Sequence, residues 1–351
     1  MNRGFWDKLK KPIFALAPMA NVTDAAFREM IAKNGRPDVT WTEFVSTDGL
    51  LSDGKEKLLV DFWYGEQERP IVAQIFGAKP ENFYKAAQMI KDLKFDGIDI
   101  NMGCPEKSIQ KQGSCAALIG NPQLALEIIA ATKEGGGGLP VSVKTRIGLG
   151  KITLDEWLAT LLTADLAAII LHLRTRKEMS KVPAHWELMP EAVAMVKVIP
   201  EYRRPLLLGN GDVMNLTEAR KKCEETGCDG VMLGRGIFGN PWLFNRETPI
   251  DKILIPKRLQ AMVEHTKLFE EKFSQLSIGG KAFEIMKKHY KAYVNGFDGA
   301  KELRMQLMEA ETSAEVEQTV QQFLQAYSLN KIKRSETLAS VGPVKINSSS
   351  F

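Results

Sequence analysis

Eight short apolar runs, several of them rich in β-branched residues, recur between residues 13 and 233 and constrain the fold more than any other feature. Such runs, bounded by turn residues, are typical of buried strands. Segments with helical spacing separate most of them, as in 80–93, where Phe83, Ala86 and Ile90 fall on one face. Because parallel strands need a crossover connection, the alternation predicts a parallel sheet. The predicted strands are Ile13–Ala17, Thr40–Phe44, Ile71–Ile75, Gly97–Ile100, Val141–Lys144, Ala167–Leu171, Pro205–Leu208 and Gly230–Leu233.

The number of these units decides between two parallel architectures. Eight consecutive strand–helix units are the repeat of an α/β fold of the (β/α)₈ TIM-barrel type. A doubly wound sheet is the alternative, but the first predicted strand is not followed by the G-x-G-x-x-G turn that is common in that fold. We therefore predict a TIM barrel over residues 1–245.

The pattern changes after the predicted barrel, where only helical periodicity remains. We therefore predict a small all-α helical-bundle domain over 255–328, followed by a polar, flexible tail over 329–351. The predicted helices of this domain are Arg258–Lys272, Gly280–Tyr293, Ala300–Glu309 and Ser313–Tyr327.

Composition narrows the class of protein. The four cysteines include no C-x-x-C pair and there are four histidines, so we expect no metal site. The cysteines do not resemble a disulfide framework, and reduced thiols indicate a cytoplasmic protein. The run Ile13–Ala20 follows lysines like a signal peptide, but it is short and broken by proline, and we expect no membrane partner. A net charge of +4 is compatible with a polyanionic partner, and we expect a monomer.

Two glycine-rich turns follow the last two predicted strands. In a TIM barrel the chemistry lies at the carboxyl ends of the strands, and phosphate groups commonly bind beside the final two. The turns Gly209-Asn-Gly-Asp212 and Gly234-Arg-Gly236 let backbone N–H groups approach such a ligand, and Arg235 adds a cation. These turns predict a phosphate site.

Other strand ends carry hydrogen-bonding side chains. Amides and a lysine can bind the carbonyl and N–H groups of a flat heterocycle, and a cation stabilises electron density on it. Together with the phosphate site they predict a bound mononucleotide, and flavin mononucleotide (FMN) fits both halves. Taken singly, each residue could instead be a strand-end cap or part of a salt bridge. The residues are Gln74, Asn101, Lys144 and His172.

A cysteine between glycine and proline follows the fourth predicted strand. Cys104 lies in a loop three residues after Asn101, whereas a packing cysteine would more commonly point inward from a regular element. Because this loop would share the barrel mouth with the other strand ends, we interpret Cys104 as a chemical group of the site.

These motifs, over residues 13–325, resemble those of the tRNA-dihydrouridine synthases, flavoenzymes that reduce uridines in tRNA. The chain departs from the family pattern at Leu173, where glycine is usual, and at Ser114 and Cys115, which replace part of a glycine-rich segment. The matching motifs are Ala17-Pro-Met-Ala20, Gln74-Ile-Phe-Gly77, Asn101-Met-Gly-Cys-Pro105, Val143-Lys-Thr-Arg146, His172-Leu-Arg-Thr175, Gly209-Asn-Gly-Asp212, Gly230-Val-Met-Leu-Gly-Arg-Gly236 and Met286-Lys-Lys-His289.

The resemblance implies a role for each matching residue. Cys104 would be the acid that protonates C5 of uracil, NADPH or NADH would supply electrons, and the product would be 5,6-dihydrouridine. Cys115 would be a small buried residue. The resemblance implies FMN contacts at Pro18, Met19, Ala20, Gln74, Lys144, Asn210, Gly211, Asp212, Gly234 and Arg235, to which the strand-end argument adds His172.

If Cys104 is the acid, its thiol must be protonated at neutral pH. A thiol with an ordinary pKa of about 8.5 is mostly protonated at neutral pH, whereas a nearby cation would lower its pKa. We therefore expect Lys144 to face the flavin rather than the sulfur of Cys104.

The substrate would be a uridine of tRNA, gripped partly by the basic helical domain. Acidic residues such as Glu284 and Glu302 are interleaved there, so a merely solvated helix face is the alternative. A TIM-barrel flavoprotein acting on a free pyrimidine or another small molecule is the rival enzyme, and a non-catalytic RNA-binding protein is the third hypothesis. The predicted substrate-binding residues are Asn101, Arg146, Arg174, Lys287, Lys288 and Arg304.

Overall fold

Eight parallel strands form one ring in the computed structural model. The structure describes residues 3–274, 276 and 279–340, and from residue 330 onward it describes the backbone alone. Each strand pairs with its neighbours in the order β1-β8-β7-β6-β5-β4-β3-β2. The strands are β1 (Ile13–Leu16), β2 (Thr40–Ser46), β3 (Ile71–Phe76), β4 (Gly97–Met102), β5 (Val141–Arg146), β6 (Ala168–His172), β7 (Leu206–Asn210) and β8 (Gly230–Leu233).

The ring closes between β1 and the residues that precede β2. Ala15 and Val39 form a parallel bridge, the backbone N–H of Leu16 donates to the carbonyl of Val39 at 3.2 Å, and that of Asp38 donates to Phe14 at 2.8 Å. The predicted TIM barrel is therefore confirmed.

Helices surround the ring and bury their apolar faces against it. In α4, the predicted face of Phe83, Ala86 and Ile90 is buried. The connection from β2 to β3 has only short helical turns. The barrel helices are α1 (Ala25–Gly35), α2 (Thr47–Leu50), α3 (Glu56–Leu59), α4 (Pro80–Asp92), α5 (Lys107–Gln110), α6 (Pro122–Gly136), α7 (Leu154–Leu162), α8 (Met189–Lys197) and α9 (Leu216–Thr226).

Six strands, β2 to β7, end one or two residues later than the sequence predicts, and β4 and β5 show how. The sequence predicts that β4 ends at Ile100 and β5 at Lys144. In the structure the two strands remain paired beyond these residues, with Asn101 opposite Lys144 and Met102 opposite Thr145. Polar residues suggest a strand end in the sequence. Here they continue the ladder because the barrel mouth offers them polar neighbours.

The helical domain has the four predicted helices, α10 (Ile255–Phe273), α11 (Ile285–Tyr293), α12 (Ala300–Glu309) and α13 (Ser313–Ser340). The backbone of α13 continues past Tyr327 into the segment predicted as a flexible tail. Residues 341–351 lie outside the described residues, so the flexibility of the tail stays a prediction.

An aromatic cluster joins the helical domain to the barrel. The ring of His265 in α10 stacks on Phe27 of α1 at 4.6 Å and meets His289 of α11 at 4.7 Å. Both histidines are fully buried, and within the described residues none of their four ring nitrogens has a hydrogen-bond partner. Burial, with a smaller contribution from the charge of Lys288, lowers the pKa of His289 to about 3, and burial also holds the pKa of His265 well below 6.5.

A buried ion cluster adds a second joint between the two domains. The ammonium group of Lys281, which has 8% of its side chain exposed, contacts the carboxylates of Glu43 and Asp61, the latter at 2.7 Å. The second carboxylate oxygen of Glu43 accepts the backbone N–H of Asn21, in the loop after β1. The helical domain is thereby tied to a loop at the barrel mouth.

Within the described ranges, no single helix has the length and apolar character that a membrane span requires. The two segments Lys107–Gly120 and Pro122–Gly136 meet that requirement only jointly, across a bend of 97°.

The buried histidines should make folding stability fall in mild acid. The unfolded chain binds protons at these residues near pH 6.5, whereas the folded protein keeps them neutral, so the unfolded state binds more protons below that pH. For each histidine, the free energy of unfolding should decrease by about 1.4 kcal/mol for every pH unit below about 6.5. Urea unfolding of wild type and His289→Phe between pH 7.5 and 5 measures this, and the variant should show the shallower slope.

His185 provides the matched control. It lies on the surface, where hydrogen bonds to Glu187 and Glu178 raise its pKa. A raised pKa stabilises the fold in acid and loses that effect as pH rises, so His185→Gln should change the slope in the opposite direction. Equal slopes for wild type and His289→Phe would contradict the prediction.

Candidate active site

The carboxyl ends of five strands surround a cavity of about 280 Å³ at the mouth of the barrel. Residues from the ends of β1, β5, β6, β7 and β8 form its wall, which brings together chain segments that are far apart in the sequence. Of the predicted site residues, the wall contains Pro18, Met19, Lys144, Arg146, His172, Arg174, Asn210, Gly211, Asp212, Gly234 and Arg235.

One end of the cavity is built by the glycine turns after β7 and β8. Gly211 has a φ of 129°, and a Cβ atom added there would lie 2.7 Å from the Cβ of Ala184, so only glycine fits. A Cβ at Gly234 would make only ordinary van der Waals contacts, the nearest at 3.5 Å from the Cβ of Ala17. A glycine turn in the cavity wall beside Arg235 suits an anion.

Asp212 holds the two arginines at this end. Its carboxylate contacts the guanidinium groups of Arg174 and Arg235 and accepts the backbone N–H of Ala184 at 2.8 Å. Burial raises the pKa of Asp212, but the hydrogen bonds and the arginine charges outweigh it and hold the pKa below its ordinary value. Asp212 is therefore an anchor for the cations.

The wall beside these turns also carries a lysine, an amide and an imidazole, and Nε2 of His172 lies 3.2 Å from the guanidinium group of Arg174. The ammonium group of Lys144 lies 3.3 Å from Oδ1 of Asn210, whose Nδ2 donates to the carbonyl of Met232 at 2.7 Å. Burial and the charge of Arg146 lower the pKa of Lys144 to about 8. Burial and the surrounding cations keep the pKa of His172 well below 6.5, so its ring stays neutral. This part of the wall offers a cation and neutral hydrogen-bonding groups.

Gln74 and Asn101 form a buried support beneath the cavity rather than its wall. Nε2 of Gln74 donates to Asp99 at 2.6 Å, and Oε1 of Gln74 accepts Nδ2 of Asn101 at 3.1 Å. Oδ1 of Asn101 accepts the backbone N–H groups of Gly103 and Cys104, both at 3.0 Å. These bonds show that Asn101 orders the cysteine loop. Its contact with substrate stays a prediction, as does the FMN contact of Gln74.

Cys104 lies next to Pro105, which lines the cavity, and is partly exposed. Its loop is also held by Nε of Arg146, which donates to the carbonyl of Gly103 at 2.7 Å. Ala20, by contrast, lies on an exposed part of the loop after β1, outside the cavity wall.

The charge state of Cys104 differs from the sequence expectation. A hydrogen bond from the thiol of Cys115, with a smaller contribution from the charge of Arg146, lowers the pKa of Cys104 to about 7 although burial opposes the change. The pKa of Cys104 therefore lies below the ordinary thiol value on which the expectation of a protonated donor rests, and the role of Cys104 as the acid stays a prediction. Cys115 is fully buried, as predicted, but it also acts on Cys104. Its replacement of a glycine in the motif was the available signal.

The basic residues predicted to bind tRNA divide into two groups. The ammonium group of Lys288 donates to the carbonyl of Asn21 at 2.7 Å, and the guanidinium group of Arg304 donates to Val294 at 2.6 Å. Both therefore have structural contacts. Lys287 is partly exposed and makes no ion pair within the described residues. Lys281 and Glu43, which join the domains at this edge, were not among the predicted site residues.

Comparison with known proteins identifies the relatives of this chain. A protein of Bacillus subtilis (strain 168) named "Probable tRNA-dihydrouridine synthase 2" is 41% identical over 332 residues, covering 93% of this chain and 98% of that protein. A Staphylococcus aureus (strain MRSA252) protein named "Probable tRNA-dihydrouridine synthase" is 41% identical over 327 residues, covering 92% and 96%.

Structural similarity agrees on the architecture. The structure of histamine dehydrogenase from Rhizobium sp. 4-9 matches with a TM-score of 0.50 and 11% identity, covering 73% of this chain and 49% of that one, and shows the fold alone. The sequence profile of the family described as "Dihydrouridine synthase (Dus)" matches residues 15–328. The chain belongs to the dihydrouridine synthase family.

Proposed function

We propose that this chain is a tRNA-dihydrouridine synthase that reduces the 5,6 double bond of uridines in tRNA, with FMN as its cofactor and NADPH or NADH as the electron donor. Membership of the family supports the reaction class. The observation that carries the rest is a cavity whose wall contains a cation-flanked glycine turn, a buried lysine and Pro105, the residue next to Cys104.

The donor set of the cavity fits FMN. The phosphate would lie on the turns of Gly211 and Gly234 beside Arg235, where glycine backbone and a cation line the cavity. The ring would lie against Pro18 and Met19, within reach of Lys144, His172 and Asn210. When bound, FMN supplies a hydride to C6 of uracil. The charged form of Lys144 favours added electron density on the ring, and its pKa of about 8 leaves it protonated at neutral pH.

Cys104 would deliver the proton that the reaction also needs. A hydride at C6 leaves C5 to be protonated, and Sγ of Cys104, next to the cavity-lining Pro105, holds a transferable proton. Oδ1 of Asn101 accepts the backbone N–H groups of Gly103 and Cys104, and Nε of Arg146 donates to the carbonyl of Gly103, which fixes this backbone. The donor is therefore positioned by buried groups and not by a mobile loop.

The target uridine would have to leave its stack to reach the cavity, which costs a few kcal/mol and suits nucleotides in loops. Arg146 and Arg174 line the cavity, with guanidinium groups that are buried and held by backbone carbonyls and, for Arg174, by Asp212. The helical domain, held there by Lys281 and Lys288, provides a second surface for a large substrate. A free pyrimidine would need no such surface, which favours tRNA over the small-molecule alternative.

Removing the proton donor should separate chemistry from binding. Cys104→Ala should lower the single-turnover rate with tRNA by about 10²–10⁴-fold, because a positioned acid typically contributes that much. FMN affinity, measured by quenching of flavin fluorescence, should be unchanged because Cys104 does not line the cavity wall. Cys223→Ala is the matched control and should keep the wild-type rate. A wild-type rate for Cys104→Ala would refute the role of the thiol.

The pH dependence of the rate should report the ionisation of Cys104. Since only the protonated thiol donates, the single-turnover rate should fall above about pH 7, where its pKa lies. Cys115→Ala removes the hydrogen bond that lowers this pKa, and the falling limb should move up to about pH 8, where loss of the proton from Lys144 then limits the rate. Identical limbs for the two proteins would contradict the assignment.

Lys287 should contribute to tRNA binding without affecting the cofactor. Lys287→Glu should weaken tRNA binding several-fold and reduce the dependence of log Kd on log salt by about one unit, with FMN retention unchanged. Lys288→Glu should also lower FMN affinity, because Lys288 holds the loop after β1 through Asn21. Lys221→Glu on α9 makes the same change in charge away from the helical domain and should leave tRNA binding unchanged. If Lys221→Glu weakens tRNA binding as much as Lys287→Glu does, the prediction is contradicted.

A further inference from the structure

The loop after β1 forms a tight turn over residues 19–23, with Asn21 in its middle. The backbone N–H groups of Val22 and Thr23 both donate to the carbonyl of Met19 at 3.0 Å. The backbone N–H of Met19 donates in return to Oγ1 of the fully buried Thr23 at 2.9 Å. Because these bonds close the turn on itself, a displacement of Asn21 would move Met19 as well.

The backbone of Asn21 is held from two sides. Its φ is 54°, in the left-handed region that few residues other than glycine and asparagine adopt. Its N–H donates to the carboxylate of Glu43 in β2, and its carbonyl accepts the ammonium group of Lys288 in α11 at 2.7 Å. Both backbone groups of this one residue are therefore fixed, the first by the barrel and the second by the helical domain.

The helical domain also fixes the barrel side of this arrangement. The carboxylate of Glu43 contacts the ammonium group of Lys281, which in turn contacts Asp61 at 2.7 Å. Glu43 and Lys281 have only 4% and 8% of their side chains exposed, and a buried charge is strongly destabilising without its partner. Both bonds to Asn21 thus depend on residues of the helical domain.

Met19 connects this turn to the cavity. It forms part of the cavity wall. A Cβ atom added at Gly234 would lie 3.8 Å from Sδ of Met19, so this sulfur lies close to the glycine turn after β8. Asn21, by contrast, is exposed and lies outside the wall of this cavity. Asn21 therefore acts on the cavity through the turn and not by direct contact.

We propose that Asn21 is a positioning residue through which the helical domain sets the place of FMN in the cavity. The helical domain acts in this way on the cofactor as well as on tRNA. The inference rests on the proposed function, because it takes FMN as the occupant of the cavity. It extends that function by giving Asn21, Glu43 and Lys281 a role in it.

This role predicts an effect on the rate as well as on binding. A displacement of about 1 Å at a reacting centre can cost about 10²-fold in rate. If Met19 shifts, the flavin ring beside it shifts relative to the uracil. Cys104 stays in place, because Asn101 and Arg146 hold its loop. Loss of the bonds to Asn21 should therefore weaken FMN binding and slow hydride transfer without changing the proton donor.

Lys288→Met is the first test, because it removes the donor to the carbonyl of Asn21. In the purified full-length protein, we expect the Kd of FMN, measured by fluorescence quenching, to rise several-fold and the visible absorption bands of the bound flavin to shift. With saturating FMN and tRNA, the single-turnover rate should fall about tenfold. Lys288→Arg keeps a donor at this position and should restore most of the binding and of the rate.

Asn21→Val tests the same role without changing a charge. A β-branched residue is strained at a φ of 54°, so the turn should shift although Glu43 and Lys288 are intact. We expect the weaker FMN binding, shifted absorption and slower single turnover of Lys288→Met. Glycine tolerates this φ, so Asn21→Gly should have a smaller effect than Asn21→Val.

Two other lysines of the helical domain provide matched controls. Lys272 pairs with Glu29 at 2.8 Å and joins α10 to α1 rather than to the turn. Lys272→Met should lower the melting temperature while the Kd and absorption of FMN stay at wild-type values. Lys291 is exposed on the same helix as Lys288, and Lys291→Met removes a positive charge from α11 and should leave FMN binding unchanged. These controls separate a general loss of stability or charge from an effect on the cavity.

Wild-type FMN binding and absorption in both Lys288→Met and Asn21→Val would overturn the inference alone and leave the proposed function intact. Equal changes in Lys272→Met would also overturn it, because the effect would then follow stability. A wild-type protein that binds no FMN would refute the cofactor of the proposed function and this inference with it. Weaker binding, shifted absorption and slower turnover in both variants, with rescue by Lys288→Arg, would support both.

Discussion

The closed ladder of eight parallel strands is the constraint on which the rest of the structure depends. Parallel strands place all their carboxyl ends on one side, and closure of the ring brings those ends within reach of a single ligand. The contact that closes the ring at β1 is the shortest pairing in the ladder, because a single bridge joins Ala15 to Val39. The loop after β1 forms part of the cavity wall, and contacts from Glu43 and Lys288 to Asn21 support it.

A buried network of hydrogen bonds beneath the cavity connects the strands of the ring to the loop that contains Cys104. Asp99 accepts hydrogen bonds from Gln74 and Ser142, and Gln74 in turn holds Asn101. Burial raises the pKa of Asp99 to about 6 despite these bonds. Because buried polar groups cost free energy unless they are paired, such a network defines one arrangement of the backbone around Cys104.

Electrostatics divide the cavity into regions with different chemistry. Arg174 and Arg235 concentrate positive charge at the glycine turns, and Asp212 orients them without neutralising both. Lys144 supplies a further cation beside Asn210, and burial together with these cations keeps the pKa of His172 low and its ring neutral. The pKa of Cys104 is lowered mainly by the hydrogen bond from Cys115, and the charge of Arg146 contributes less.

Local pattern determined much of this protein. The sequence alone predicted the strand number, the crossover helices, the helical domain and the glycine turns, because alternation, helical spacing and glycine act within a few residues. Only the tertiary structure decided that Gln74 and Asn101 support the site from below, that Lys288 and Arg304 make structural contacts, and that Cys115 touches Cys104. Those outcomes depend on hydrogen bonds and burial between segments that come together only when the ring closes, and local periodicity does not encode that geometry.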